Sequence, residues 1–118
     1  MTKITIHRTV LMTGEGVLTL ENDGDEILST KSWEHAGNLI PPKTYTGCSK
    51  TTMANSGRPG IYLPDEQTGK TGIFIHAGTS QSNSKGCICI QPDQMQKLLA
   101  NVPSQNGAIT VVVTNPAK

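Results

Sequence analysis

Short runs of alternating apolar residues, each ended by turn-forming residues, are the feature that most constrains this fold. Lys3 to Leu11 alternates through Ile4 and Ile6, and its β-branched content predicts a strand. Thr13-Gly14-Glu15-Gly16 interrupts this run, and Val17 to Leu20 follows as the partner strand of a hairpin. The chain therefore begins as a β structure.

The same pattern continues along the chain. Asn22-Asp23-Gly24 is a turn signal, because Asn and Gly tolerate positive φ, and Glu26 to Thr30 follows as a third strand. Lys31 to Pro42 has no clear period, and Pro64 to Gly72 is a polar turn region. Further strands are predicted at Thr44 to Thr52, Ile61 to Leu63 and Ala108 to Thr114, the last of them buried on both faces.

One helix is predicted, over Pro92 to Asn101. Pro92 suits the first helical turn, Asp93 favours the positive end of the helix dipole, and apolar residues recur at spacings of three and four. The 12 glycines and seven prolines agree with a turn-rich chain. The fold class is therefore mainly β, an antiparallel or mixed β-sandwich or barrel-like sheet with one helix, in a single domain over residues 1–118.

Composition excludes several classes of function. The net charge of +1, without a run of Lys or Arg, predicts no nucleic-acid partner. The apolar runs are too short for membrane insertion, and the first residues lack a secretory signal, so synthesis in the cytoplasm is expected. Three cysteines cannot all pair within the chain, which argues against a disulfide framework.

The stretch Ile73 to Ile90 carries the chemistry. It places His76 at the end of one apolar run and Cys87 just before the next. A free thiol, with a pKa of about 8.5, is mostly protonated at neutral pH, and a neighbouring imidazole can take its proton. Gly86 lets the backbone approach a carbonyl closely, and the amides of Gly86 and Cys87 are suited to stabilising an oxyanion.

These residues resemble the signature of the L,D-transpeptidase family, in which a histidine precedes Ser/Thr-His-Gly-Cys. The matching residues are His76 and Ser84-Lys85-Gly86-Cys87-Ile88, and Asn38 to Tyr45 is similar to the family's Thr-Pro-x-Gly-x-Tyr/Phe stretch. The resemblance covers roughly residues 38–90. Lys85 stands in place of the family's histidine, Cys89 stands in place of its arginine, and the intervening loop is shorter.

The resemblance implies a division of roles. Cys87 is the expected nucleophile and His76 the base, Gly86 shapes the oxyanion site, and the backbone carbonyl of Ala77 orients the imidazole. The residues expected to bind substrate are Ser84, Lys85 and Tyr45. No cofactor is implied.

The family further implies acyl transfer or hydrolysis on peptidoglycan stem peptides, as a transpeptidase, carboxypeptidase, endopeptidase or exchange enzyme. An antibacterial effector delivered by a secretion system or a phage-encoded enzyme is expected, acting in the periplasm or cell wall. The partners expected with it are an immunity protein or a secretion carrier.

Other interpretations remain open at this level. One is a metal site formed by His76, Cys87, Cys89 and Cys48, although the usual C-x₂₋₄-C spacing is missing. A cysteine protease acting on proteins and a non-catalytic module of a phage tail or secretion spike are the others. Cys89 and Trp33 are interpreted as packing residues, while Arg8 or Arg58 is suited to holding a substrate carboxylate.

Overall fold

The strands of this protein close into a barrel. The computed structural model describes residues 2–10, 12–35, 37, 39–52, 57–70, 72–78, 87–103 and 105–116. Within these residues the chain forms eight strands and two short helices. In chain order they are β1 (Thr2–Val10), β2 (Glu15–Asn22), β3 (Asp25–Glu34), β4 (Thr44–Thr52), β5 (Pro59–Leu63), α1 (Asp65–Thr68), β6 (Ile73–Ala77), β7 (Ile88–Ile90), α2 (Pro92–Ala100) and β8 (Ile109–Thr114).

The strand order around the barrel is β1-β2-β3-β7-β6-β5-β4-β8, and β8 closes the ring by pairing with β1. The β1–β8 and β6–β7 pairs are parallel, whereas the other neighbours are antiparallel. The prediction of a mainly β chain is confirmed, and of the two predicted arrangements the barrel is observed. The prediction of one helix is wrong, because Asp65–Thr68 forms a single helical turn within the expected turn region.

The hairpin between β2 and β3 follows from its turn residues. Asp23 has φ of 52° and Gly24 has φ of 89°, so both central residues occupy the left-handed region that a type I′ turn requires. The turn predicted at Asn22-Asp23-Gly24 is thereby confirmed.

β3 is longer than predicted and ends at Glu34 rather than Thr30. Its last inward positions hold Ser32 and Glu34, which are 0% and 1% exposed. Because these buried residues are polar, the usual alternation of apolar and polar residues is hidden there, and the sequence pattern ends early.

The barrel interior is filled from alternate strand positions. β8 shows this clearly, since Ile109, Val111 and Val113 are buried while Thr110 and Val112 are half-buried, so the prediction that both faces of this strand are buried is wrong. The remaining buried aliphatic residues from the strands are Ile4, Ile6, Leu18, Leu20, Leu28, Ile61, Leu63, Ile73, Ile75, Ile88 and Ile90.

α2 packs against β3 and β6. It begins at Pro92, as predicted, and buries Met95 and Leu98. At its carboxyl end the Nζ of Lys50 donates a hydrogen bond to the carbonyl of Leu99, at 3.0 Å, which satisfies one of the helix's terminal acceptors. Neither helix within the described residues has the length and apolar character that crossing a membrane requires.

Cys48 makes the stability of the barrel sensitive to alkaline pH. It is fully buried in β4, and burial raises the pKa of its thiol from 9.0 to about 12. The unfolded chain releases this proton near pH 9, whereas the folded chain retains it to about pH 12. We therefore expect the free energy of unfolding to fall as pH rises through this window, with the full stability present below it.

Urea unfolding across this pH range, under reducing conditions, measures the effect. Cys48→Ala should show a shallower pH dependence than the wild type, although not a flat one. Burial also raises the pKa values of Tyr45 and Cys89 to about 12, and both remain in the variant. Parallel curves for the two proteins would contradict the role assigned to Cys48.

Candidate active site

The parallel pairing of β6 with β7 forms the candidate site. Ile75 lies opposite Ile88, and both point into the core, while His76 lies opposite Cys89. Successive residues of a strand point to opposite faces, so His76 and Cys89 share the outer face of the barrel.

The imidazole of His76 is fixed by the next residue. Its Nδ1 lies 2.9 Å from the carbonyl oxygen of Ala77. A carbonyl only accepts hydrogen bonds, so Nδ1 carries the proton in this contact, and Nε2 is left with the lone pair that a base requires. The contact expected of the Ala77 carbonyl is therefore present.

The sulfur beside this imidazole belongs to Cys89. It lies 3.8 Å from Nδ1 and 3.8 Å from Nε2 of His76. Cys89 is 0% exposed, and burial, followed by the nearby Cys87, raises the pKa of its thiol to about 12. A thiol with this pKa stays protonated at neutral pH and is a poor nucleophile. The expectation that Cys89 is buried is confirmed.

Cys87 lies at the amino end of β6 rather than directly opposite His76. Its sulfur is 3.5 Å from the backbone N of Phe74 and 3.5 Å from the carbonyl oxygen of Gly72. The sulfur thus occupies the position of a backbone hydrogen-bonding partner at the start of β6. It lies beside Phe74, which is two residues before His76. The predicted pairing of Cys87 with His76 stays a prediction.

The Cys87 thiol is half-buried, unlike that of Cys89. Burial raises the pKa of Cys87, and the hydrogen bond from the Phe74 amide opposes this by stabilising the thiolate. The thiol is therefore mostly protonated at neutral pH, and its use as a nucleophile requires a base.

Tyr45 belongs to the core instead of the substrate-binding position predicted for it. Its side chain is 0% exposed, and its hydroxyl donates a hydrogen bond to the carbonyl of Pro41. Burial raises the pKa of this phenol to about 12. The other predicted site residues, Ser84, Lys85 and Gly86, lie outside the described residues.

The two arginines predicted as candidates for carboxylate binding have different surroundings. Arg8 is 1% exposed and donates to both carboxylate oxygens of Glu34, at 2.8 and 2.9 Å. It also donates to the carbonyl of Ile40 at 2.7 Å and to the side chain of Asn115 at 3.0 Å. The Arg8 guanidinium is thus held by partners in the interior, whereas Arg58 lines a cleft.

That cleft has a volume of about 370 Å³, within the range of small-molecule sites. It lies between the start of β5, the end of β6 and one face of α2. Its lining is mostly apolar, with one guanidinium and one amide, from Arg58, Pro59, Ala77, Pro92, Met95, Gln96 and Leu99. Ala77 therefore borders the cleft and, through its carbonyl, holds the imidazole.

Trp33 extends the outer face on the other side of Cys89. It lies opposite Cys89 in the β3–β7 pairing and is half-buried. The Nζ of Lys31 is 5.4 Å from the centre of the Trp33 ring and 2.6 Å from a carboxylate oxygen of Glu15. The sequence predicts a packing role for Trp33. Its place beside the site depends on the register of β3 against β7, which the sequence does not reveal.

The rival metal site is not assembled. Cys48 lies in β4, which is separated from β7 by β5 and β6 in the barrel. Among the residues that the structure describes, no group of three or more His, Cys, Asp or Glu side chains is placed to hold a metal ion.

Comparison of the chain with models of protein families and with curated proteins gives no match. The resemblance to the L,D-transpeptidases therefore depends on the motif residues themselves. What the fold and the site define is a β-barrel with histidine and cysteine side chains on two adjacent parallel strands.

Proposed function

We propose that this protein is a cysteine-dependent acyl transferase or hydrolase of the L,D-transpeptidase type, acting on the peptide stems of peptidoglycan. The observation that carries the proposal is the 2.9 Å contact between Nδ1 of His76 and the Ala77 carbonyl. It leaves Nε2 as the proton acceptor, on a strand whose parallel neighbour begins directly after Cys87.

Cys87 rather than Cys89 is the proposed nucleophile, because a substrate must be able to reach the attacking sulfur. Cys87 is half-buried, whereas Cys89 is 0% exposed. The amide of Phe74 donates towards the Cys87 sulfur and favours its thiolate. Cys87 also occupies the nucleophile position of the family motif.

The proposed reaction proceeds in two halves. Nε2 of His76 accepts the thiol proton while the Cys87 sulfur bonds to the substrate carbonyl carbon, and the amides of Gly86 and Cys87 stabilise the oxyanion. The tetrahedral intermediate collapses to a thioester as the leaving amine takes the proton from Nε2. Nε2 of His76 then takes a proton from water or a second amine as that nucleophile bonds to the thioester carbonyl carbon. The C–S bond breaks and His76 returns this proton to the Cys87 sulfur.

The first half of the reaction requires the Cys87 sulfur and Nε2 of His76 to come within hydrogen-bond distance. The sulfur lies beside Phe74, two residues before His76 on β6. We propose that rotation of the Cys87 and His76 side chains brings the sulfur and Nε2 together when substrate binds. Catalytic contacts often tighten only at that stage.

The surroundings of the site suit a peptide. Arg58 on the cleft is a donor for a substrate carboxylate, and the apolar lining fits aliphatic side chains. With this substrate, the place of action is the cell wall. The protein is then proposed to be a delivered antibacterial effector or a phage enzyme, with a secretion carrier or an immunity protein as its partner.

Intact-mass measurement tests the proposal. We expect a stem tetrapeptide to give a covalent acyl adduct on the wild type, and a mild alkylating agent to label Cys87 first. Cys87→Ala should form neither adduct nor product, because it lacks the attacking sulfur, and His76→Gln should form the adduct far more slowly.

Cys48→Ala is the matched control, since it removes a thiol that lies in β4, away from the site. It should retain adduct and product at the wild-type rate. Product formation by Cys87→Ala at that rate would overturn the assignment of the nucleophile. An unreactive thiol at position 87, with no product from the wild type, would leave the non-catalytic module as the better interpretation.

A further inference from the structure

Cys89 contacts the base of the proposed reaction but has no part in the reaction itself. It is buried, it lies opposite His76 in the β6–β7 pairing, and it lies opposite Trp33 in the β3–β7 pairing. Side chains at paired positions of adjacent strands share a face, so Cys89 lies between the imidazole and the indole. At this location the Cys89 thiol contacts the imidazole of His76. Because Cys89 is 0% exposed, a substrate cannot reach its sulfur.

The two equal distances define how the sulfur meets the ring. It is 3.8 Å from both nitrogens of His76. The lone-pair axes of the two ring nitrogens diverge, so a point equidistant from both lies on neither axis. The sulfur thus packs against the imidazole without occupying the lone pair of Nε2, while Nδ1 is engaged by the Ala77 carbonyl.

A neutral sulfur suits this position. Burial raises the pKa of Cys89 to about 12, so the thiol adds no charge beside the imidazole at neutral pH. Sulfur is polarisable and packs favourably against aromatic rings. A hydroxyl in its place would be less polarisable, and because a C–O bond is shorter than a C–S bond, its oxygen would lie farther from the ring and leave this contact unfilled.

We propose that Cys89 is a positioning residue that packs against the His76 imidazole and, with the Ala77 carbonyl, holds the ring with Nε2 available as the proton acceptor. The catalytic consequence rests on the proposed function above. The effect on the ring itself does not depend on it.

Nitrogen-15 NMR of the imidazole tests the effect on the ring, at a pH where His76 is neutral and with His76→Gln to assign its signals. The wild type should show the Nδ1–H tautomer. Cys89→Ala removes the packing atom, so the signals should move towards the Nε2–H form that a free imidazole prefers. Cys89→Val refills the space with apolar atoms and should restore the wild-type signals.

Kinetics provide the second measurement. Cys89→Ala should lower kcat on the order of 10-fold with little change in KM, because the base is misplaced while the substrate contacts remain. Cys89→Val should recover most of this loss, and Cys89→Ser should not, since its shorter hydroxyl leaves the contact with the ring unfilled. Cys48→Ala, which also removes a buried thiol, should leave the His76 signals unchanged.

The outcomes separate the two proposals. Wild-type tautomer signals in Cys89→Ala overturn the positioning role, whatever the activity. A tautomer change without any turnover of stem peptides supports the positioning role and removes the proposed function. If Cys89→Ala does not fold, the comparison of Cys89→Val with Cys89→Ser decides, and identical ring signals in these two variants and the wild type overturn the inference.

Discussion

Replacing Arg8 with Met should lower the free energy of unfolding by about 3–5 kcal/mol, because the carboxylate of Glu34 is left buried without its cation. Glu34 is 1% exposed, and Arg8 donates to both of its carboxylate oxygens. Met has nearly the length of the arginine stem, so the loss of charge and hydrogen bonds dominates over the loss of volume.

Urea unfolding followed by circular dichroism measures this effect. Glu34→Gln should also destabilise, since it leaves the guanidinium without a counter-charge. The double variant Arg8→Met with Glu34→Leu should cost less than the sum of the single changes, because it removes both charges together.

The exposed pair of Lys31 with Glu15 is the control. Its charged atoms are 2.6 Å apart, but the side chains are 53% and 32% exposed, so Lys31→Met should change stability far less than Arg8→Met. If Arg8→Met unfolded within about 1 kcal/mol of the wild type, the buried pair would not have the stabilising role assigned to it.

Gly14→Ala should lower the free energy of unfolding by about 2–5 kcal/mol. Gly14 has φ of 73°, a conformation that costs a residue with a Cβ roughly 1–2 kcal/mol. A Cβ there would also lie 1.9 Å from the carbonyl oxygen of Glu34, so backbone would have to move, which adds about 1–3 kcal/mol. The Glu34 amide donates to the Gly14 carbonyl at 2.8 Å, so this movement would disturb the same end of the barrel.

Gly69→Ala is a closely matched control. Gly69 has φ of 74°, nearly that of Gly14, but nothing lies within 4 Å of the position its Cβ would take. Gly69→Ala should therefore lower the free energy of unfolding by about 1–2 kcal/mol, from backbone conformation alone. Equal losses in thermal or urea unfolding for the two variants would show that the close approach to Glu34 does not matter.

Local signals predicted much of the fold. Asp23 and Gly24 define a hairpin turn by their backbone preferences, and Pro92 marks the start of α2, so both features follow from neighbouring residues. The end of β3 could not be predicted in this way. Glu34 points into the barrel because Arg8 lies 26 residues earlier and neutralises it, and no local pattern contains that partnership.

The site shows the same division. His76 and Cys87, the residues proposed to carry the chemistry, stand out by type and spacing, and the contact of His76 with Ala77 is between adjacent residues. Which sulfur meets the imidazole depends on the register of β6 against β7, where a shift of two residues would exchange Cys87 and Cys89. β7 has three residues, too few for its sequence to specify that register.

The closure of the barrel also affects how the chain is protected while it folds. β8 pairs with β1 on one side and β4 on the other, so until residues 109–114 dock, both of those strands present unpaired backbone groups to any other extended chain. The ring joins residues more than a hundred positions apart, and contacts of such long range form late. The chain is therefore exposed to aggregation through its strand edges until β8 docks. Variants that weaken β8 should give a lower yield of folded protein even where the free energy of unfolding is little changed.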